Sequence, residues 1–180
     1  MPVTGKSEID IIILGSLLRG PAHGYELKRR IEASFSQFYL GLSPGSLYSR
    51  LQKFEKEGLV AGRREPQDGV PDRTVYQLTG PGKSRLRELV ATPVVSSGRM
   101  WSDQESLIVR VIFFDLITKA ERRRVVGPFH EAAMEQLQAA RDAIEQYGGS
   151  IRGFTMEALT HGAEVLASNL AFYERIMEMD

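Results

Sequence analysis

Apolar positions in the first half of the chain recur at a spacing of three and four, then at two. Ile9, Ile12, Ile13, Leu17 and Leu18 share one helical face and predict a helix over about 7–19, capped by Ser7 and stopped by Gly20-Pro21. A second helix is expected from Ala22 to Ser34, with Tyr25, Leu27, Ile31 and Phe35 as apolar contacts and Lys28, Arg29 and Arg30 as a basic surface. The third helix has the fullest signature. Ser43 caps it, Pro44 stands at the first helical position where its missing N–H costs nothing, and Leu47, Leu51 and Phe54 line one face before Gly58 ends it. Residues 59–65 and 73–78 then read as short strands around the turn-forming Pro66 to Pro71, and Thr79 caps a fourth helix over 80–91.

Residues 92–100 read as a linker, and everything after it as helix. Leu107, Ile108, Val111, Ile112, Phe113 and Phe114 mark a short apolar helix over 103–116. A long helix runs over 119–147, with Phe129, Ala133, Leu137, Ala140, Ile144 and Tyr147 as its stripe. In the last helix, about 154–178, Met156, Leu159, Ala163, Leu166, Leu170, Tyr173 and Met177 alternate steps of three and four, the a/d seam of a helix that packs on another helix.

Helix, helix, helix, hairpin, helix is the order of a winged helix-turn-helix. The expected fold is therefore mainly α with a small β-hairpin wing: a winged helix-turn-helix over 1–92 and a helical dimerisation and effector domain over 93–180. Charge divides at the same place. The 180-residue chain is formally neutral, but residues 1–92 carry +4 and residues 93–180 carry −4, which suits a nucleic-acid-facing half joined to a half with other work. Cysteine is absent, so disulfides, thiolate metal sites and cysteine nucleophiles are excluded. The polar first nine residues predict no secretory leader, and the longest apolar run, Ile11 to Leu18, is too short to span a bilayer, so a cytoplasmic protein is expected. His23, His130 and His161 have no metal or triad spacing and no glycine-rich phosphate loop follows a strand, so neither enzyme, metal nor cofactor is expected.

Particular residues carry a family resemblance. Ile13 to Leu18 leads into Gly20-Pro21-Ala22-His23-Gly24-Tyr25-Glu26-Leu27; Gly45-Ser46-Leu47-Tyr48 follows about twenty residues on, then Leu51 to Val60, then Val75-Tyr76-Gln77-Leu78-Thr79 before Gly82. Over about half the chain this resembles the PadR family of bacterial transcriptional regulators, and the second half is similar in pattern and length to the helical dimerisation region of the larger PadR subgroup. Thr79-Gly80-Pro81-Gly82 lacks the acidic residue that members commonly carry after the threonine, so the start of the fourth helix is expected to be looser.

The resemblance implies a homodimeric, sequence-specific DNA-binding regulator, a repressor released by a small aromatic or hydrophobic effector. The third helix would enter the major groove with Gly45, Ser49 and Lys53 outward, Ser46, Arg50 and Tyr48 on its flanks, and Arg50 long enough to reach a guanine edge or a phosphate. Lys28 is expected at a phosphate, Tyr25 at a phosphate or packed, His23 on the DNA or hydrogen-bonded within its own turn, and Arg63, Arg64 and Arg73 of the wing along the DNA backbone or in the minor groove. Leu159, Ala163, Leu166, Leu170, Tyr173 and Met177 are the candidate dimer interface, or else pack on Leu137, Ala140 and Ile144 of the same chain. Trp101, Phe113 and Phe114 are candidate effector contacts, or else core aromatics. Two readings compete: a winged-helix adaptor that binds another protein, and an activator without an effector.

Overall fold

The computed structural model describes residues 6–35, 42–66, 73–95 and 100–179, without the side chains of Lys6 and residues 100–102. The tip of the wing and the side chain of Trp101 lie outside the described residues. The chain forms two compact units, Met1–Ile117 and Thr118–Asp180.

In the first unit, α1 (Lys6–Ser16) is the central element. Ile11, Ile12, Ile13 and Leu14 are consecutive and all fully buried, which a helix achieves only when other elements cover every side of it. Those covers are α2 (Gly24–Ser34), α4 (Gly80–Ala91) and α5 (Met100–Val111). Two carboxylates interrupt the apolar surface of α1, and each receives an arginine from elsewhere. Glu8 accepts from Nη1 of Arg110 at 2.9 Å, and Asp10 pairs with Arg50.

α3 (Pro44–Lys56) starts as the sequence leads one to expect: the Ser43 hydroxyl accepts from the Ser46 N–H at 3.1 Å, with Pro44 in the first turn. It ends in a Schellman motif. The Leu59 N–H donates to Phe54 O at 2.8 Å and the Gly58 N–H to Glu55 O at 3.0 Å, with Gly58 at φ +70.

A two-residue strand that local pattern does not predict, β1 (Ala22–His23), replaces the expected first turn of the second helix. It pairs antiparallel with β3 (Arg73–Leu78), Ala22 opposite Tyr76 and His23 opposite Val75, and β3 pairs on its other side with β2 (Val60–Glu65). Gly20 at φ +116 and Pro21 bring the chain in extended, so α2 begins only at Gly24.

The start of α4 is tight rather than loose. The Thr79 hydroxyl accepts from the Gly82 N–H at 3.0 Å and lies 2.7 Å from Gly58 O and 2.9 Å from Leu59 O, so one side chain caps α4 and ties it to the end of α3.

The division expected near residue 92 falls inside the first unit, because α5 packs on α1. Arg110 lies buried there, bonded to Glu8, to Ser106 O at 2.8 Å and to Thr92 O at 3.1 Å. Phe113 stacks on Phe35 with ring centroids 6.3 Å apart, and Phe114 is buried, so two of the three candidate effector aromatics pack in this core.

The second unit is an antiparallel hairpin of α6 (Lys119–Tyr147) and α7 (Phe154–Glu178). Thr118 and Glu121 form a reciprocal capping box at the start of α6. Lys119 and Arg123 there both pair with Glu178 at the end of α7. The Tyr173 ring lies 6.1 Å from that of Phe129, so this member of the seam faces α6 of its own chain.

Candidate nucleic-acid interface

With Leu47, Leu51 and Phe54 turned into the core, α3 presents Gly45, Ser49, Gln52, Lys53 and Lys56 to solvent on one front. Ser46 is half-buried at the edge of that front. All these side chains are small, amide or basic. The first-turn N–H groups point out of the capped end, where a helix offers donors and a positive partial charge to an anion.

Arg50 does not join this front. It turns to α1, where its guanidinium meets Asp10 with only 21% of the side chain exposed. Burial raises the Asp10 carboxyl above its ordinary range, and the nearby charges of Arg50, Lys53 and Arg85 offset this only in part.

Tyr48 takes the other flank. A Cβ on Gly24 would come within 2.4 Å of its ring, so the glycine at the start of α2 is the seat of that ring. His23, Tyr25, Tyr48, Arg73 and Tyr76 surround a cavity of about 490 Å³ between the start of α2, α3 and β3. Tyr25 is 71% exposed, a correction to its expected place among the apolar contacts of α2. Tyr76 is buried, and burial, with Glu55 and Tyr48 nearby, raises its hydroxyl further, so it stays a neutral donor. His23 Nε2 stands 3.9 Å from Glu65 of the wing. Lys28 is engaged by Glu32 one turn along α2.

Gly24→Ala should cost only about 1 kcal/mol, because the crowding atoms are the far end of a side chain at the surface that can swing away. Urea denaturation followed by circular dichroism measures it.

The wing arginines do not share one face. Arg63 stands opposite Val75 and Arg64 opposite Thr74, so the pleat sends Arg63 and Arg64 to opposite sides of the hairpin. Arg63 is also paired with Glu65 at 2.6 Å. Arg73 lies across from Glu65, on the side of Arg63.

Among the described residues, no group of three or more metal-ligating side chains comes together, and no helix is long and apolar enough to cross a membrane.

Comparison with known proteins meets the same region. Residues 13–88 match the model of the transcriptional regulator PadR-like family. The probable transcriptional regulator Rv1176c of Mycobacterium tuberculosis is 32% identical over 82 residues, which are 46% of this chain and 43% of that protein. The chain thus spans less than half the length of this curated relative. Among solved structures, Bacillus subtilis PadR in complex with operator DNA is similar at 19% identity and a TM-score of 0.45, over 94% of this chain and 97% of that one. The protein TA0346 of Thermoplasma acidophilum is similar at 32% identity and a TM-score of 0.39, over 44% of this chain and 72% of that one.

Proposed function

From the PadR-like regulator domain that residues 13–88 carry, we propose that this chain binds double-stranded DNA as a homodimer in the cytoplasm and regulates transcription there, by a binding role and not a catalytic one. The observation that carries this reading is the front of α3: a helix held from behind by three buried side chains, capped at its start, with small and basic residues outward. Gly45, Ser46, Ser49 and Lys53 are the residues for the major groove, since their short or basic side chains let the helix approach the bases. His23, Tyr25, Tyr48 and Arg73 around their cavity, with Lys28, Arg63 and Arg64, serve the backbone.

The second unit supports the dimer. In α7, a helix of 25 residues, only Tyr173 and Ile176 are buried within the chain. Leu159, Ala163, Leu166, Leu170 and Met177 remain half-exposed and Val165 and Phe154 exposed, more apolar surface than a lone hairpin hides. A second copy covering that seam gives the dimer two recognition helices, and two-fold helix-turn-helix dimers read half-sites about 34–36 Å apart. The sense of regulation, repression relieved by a small aromatic or hydrophobic molecule, follows the family resemblance.

Fluorescence anisotropy of duplexes from upstream of the protein's own gene, beside scrambled duplexes in a salt series, tests the reading. Tight, salt-steep binding that prefers the native duplex is expected. Arg73→Ala should flatten the slope of log K against log salt by about 0.9, the loss of one phosphate contact. Light scattering should give twice the chain mass. No binding at low salt, with no enrichment from a random-sequence pool, would overturn the proposal in favour of a protein-binding winged helix.

A further inference from the structure

Asp10 lies on α1, which packs on α4, and is reached from α3 by Arg50, within the field of three cations: Arg50 and Lys53 of α3 and Arg85 of α4. Two of these have carboxylates of their own, Lys53 with Glu57 at 3.7 Å and Arg85 with Glu88 at 2.7 Å. Arg50 is the one that Asp10 holds directly, each side chain about one-fifth exposed, at 21% and 19%. Arg50 and Lys53 are three apart on one helix and so are neighbours, yet Lys53 faces solvent while Arg50 is drawn back to α1.

A carboxylate at this place is costly. Apolar residues fill α1 on either side of it, and burial disfavours its charge more than the cations restore. A neutral residue in α1 beside a neutral residue in α3 would close the same core with less penalty. The pair does have a consequence for a surface that meets DNA. Every cation offered to the phosphate backbone strengthens binding to all sequences alike, whereas recognition depends on the ratio between the right site and every other.

We propose that Asp10 sets specificity: by holding the Arg50 guanidinium it withdraws one cation of the recognition helix from the phosphate backbone and so limits sequence-independent binding. The inference rests on the DNA-binding reading above.

The test uses the full chain and a labelled duplex of unrelated sequence, with anisotropy read across a potassium chloride series. Wild type, Asp10→Asn, Arg50→Gln and the double variant are compared, and thermal melts establish that each is folded. Asp10→Asn should bind more tightly at low salt, with a slope steeper than wild type by about 0.9, one added phosphate contact. Arg50→Gln alone should keep the wild-type slope, and adding it to Asp10→Asn should abolish the gain. A folded Asp10→Asn with wild-type slope and affinity overturns the proposal. So does an Arg50→Gln variant whose slope flattens by about 0.9, because Arg50 would then already touch phosphate in the wild type; if Asp10→Asn fails to fold, Asp10→Ser takes its place with the same expected gain and the same overturning result. Failure of the inference alone leaves wild-type binding intact, whereas a wild type that binds no duplex at low salt overturns the DNA-binding reading and the inference with it.

Discussion

Glu8→Ala should destabilise the first unit by about 3–5 kcal/mol, because it leaves the buried Arg110 without its carboxylate. Both partners are nearly sealed, the side chains 4% and 6% exposed, and Arg110 cannot shed its proton to escape the cost. The double replacement Glu8→Leu, Arg110→Met should recover most of the loss, since an apolar pair removes both desolvation penalties together. Urea denaturation read by the fluorescence of the single tryptophan, Trp101 in α5, follows the unit concerned.

The same pair gives stability a pH dependence of known sign. Burial alone would push the Glu8 carboxyl up, but hydrogen bonds from Arg110, the backbone and Ser7, with the Arg110 charge, hold it below its ordinary value of 4.5. The folded state therefore binds the proton less readily than the unfolded chain. Stability from this group is present in full above about pH 4.5 and is lost as pH falls through the lower folded value. Asp10, raised, works in the opposite sense: its protonation on acidification favours the folded state. In Glu8→Gln the loss on acidification should shrink, as denaturation midpoints at pH 3 and pH 7 would register. An unchanged difference between them would assign the acid sensitivity to other carboxylates.

The second large effect is expected at Gly82. A Cβ there would lie 2.0 Å from the carbonyl oxygen of Leu59, an atom fixed by hydrogen bonds from the Thr79 N–H and in reach of the Thr79 hydroxyl. The nearest crowding atom is backbone and cannot swing aside as the Tyr48 ring above Gly24 can, and the Leu78 Cδ1 methyl would also stand 2.7 Å from the added Cβ. Gly82→Ala should therefore cost about 3 kcal/mol or more, at or past the usual limit for overpacking, although alanine is the better helix former. Thermal and urea denaturation would both register it. A stability equal to wild type would mean that α4 can slide away from the end of α3.

How much of this was legible in the sequence depends on how far apart the cooperating residues lie. The start and end of α3 were readable because Ser43, Pro44 and Gly58 act on their own neighbours, and the exposed Gly45, Ser49 and Lys53 follow from the buried Leu47, Leu51 and Phe54. β1 was not, because Ala22 and His23 are extended by pairing with β3 some fifty residues later, against a local pattern that reads as helix. The reach of the first unit to Ile117 was hidden for the same reason. The linker composition at 92–100 is real, but Glu8 and Arg110 meet across 102 residues. That Arg50 turns from the flank of α3 back to α1 was not legible, because its partner, Asp10, lies 40 residues away on another helix. The seam of α7 was visible as a period, but a period does not say whose helix it faces, and Tyr173 turns to Phe129 of its own chain.

The division of labour on α3 has a consequence for how such a protein changes over generations. The residues that hold the helix, Leu47, Leu51 and Phe54, and those that face outward, Gly45, Ser49, Gln52 and Lys53, are separate sets. Surface exchanges of this kind usually shift stability by no more than about 0.5 kcal/mol, so the outward set can drift or be shuffled while the fold stands. A duplicated gene can thus part from its parent through a few exchanges on one helix, without first crossing an unstable intermediate.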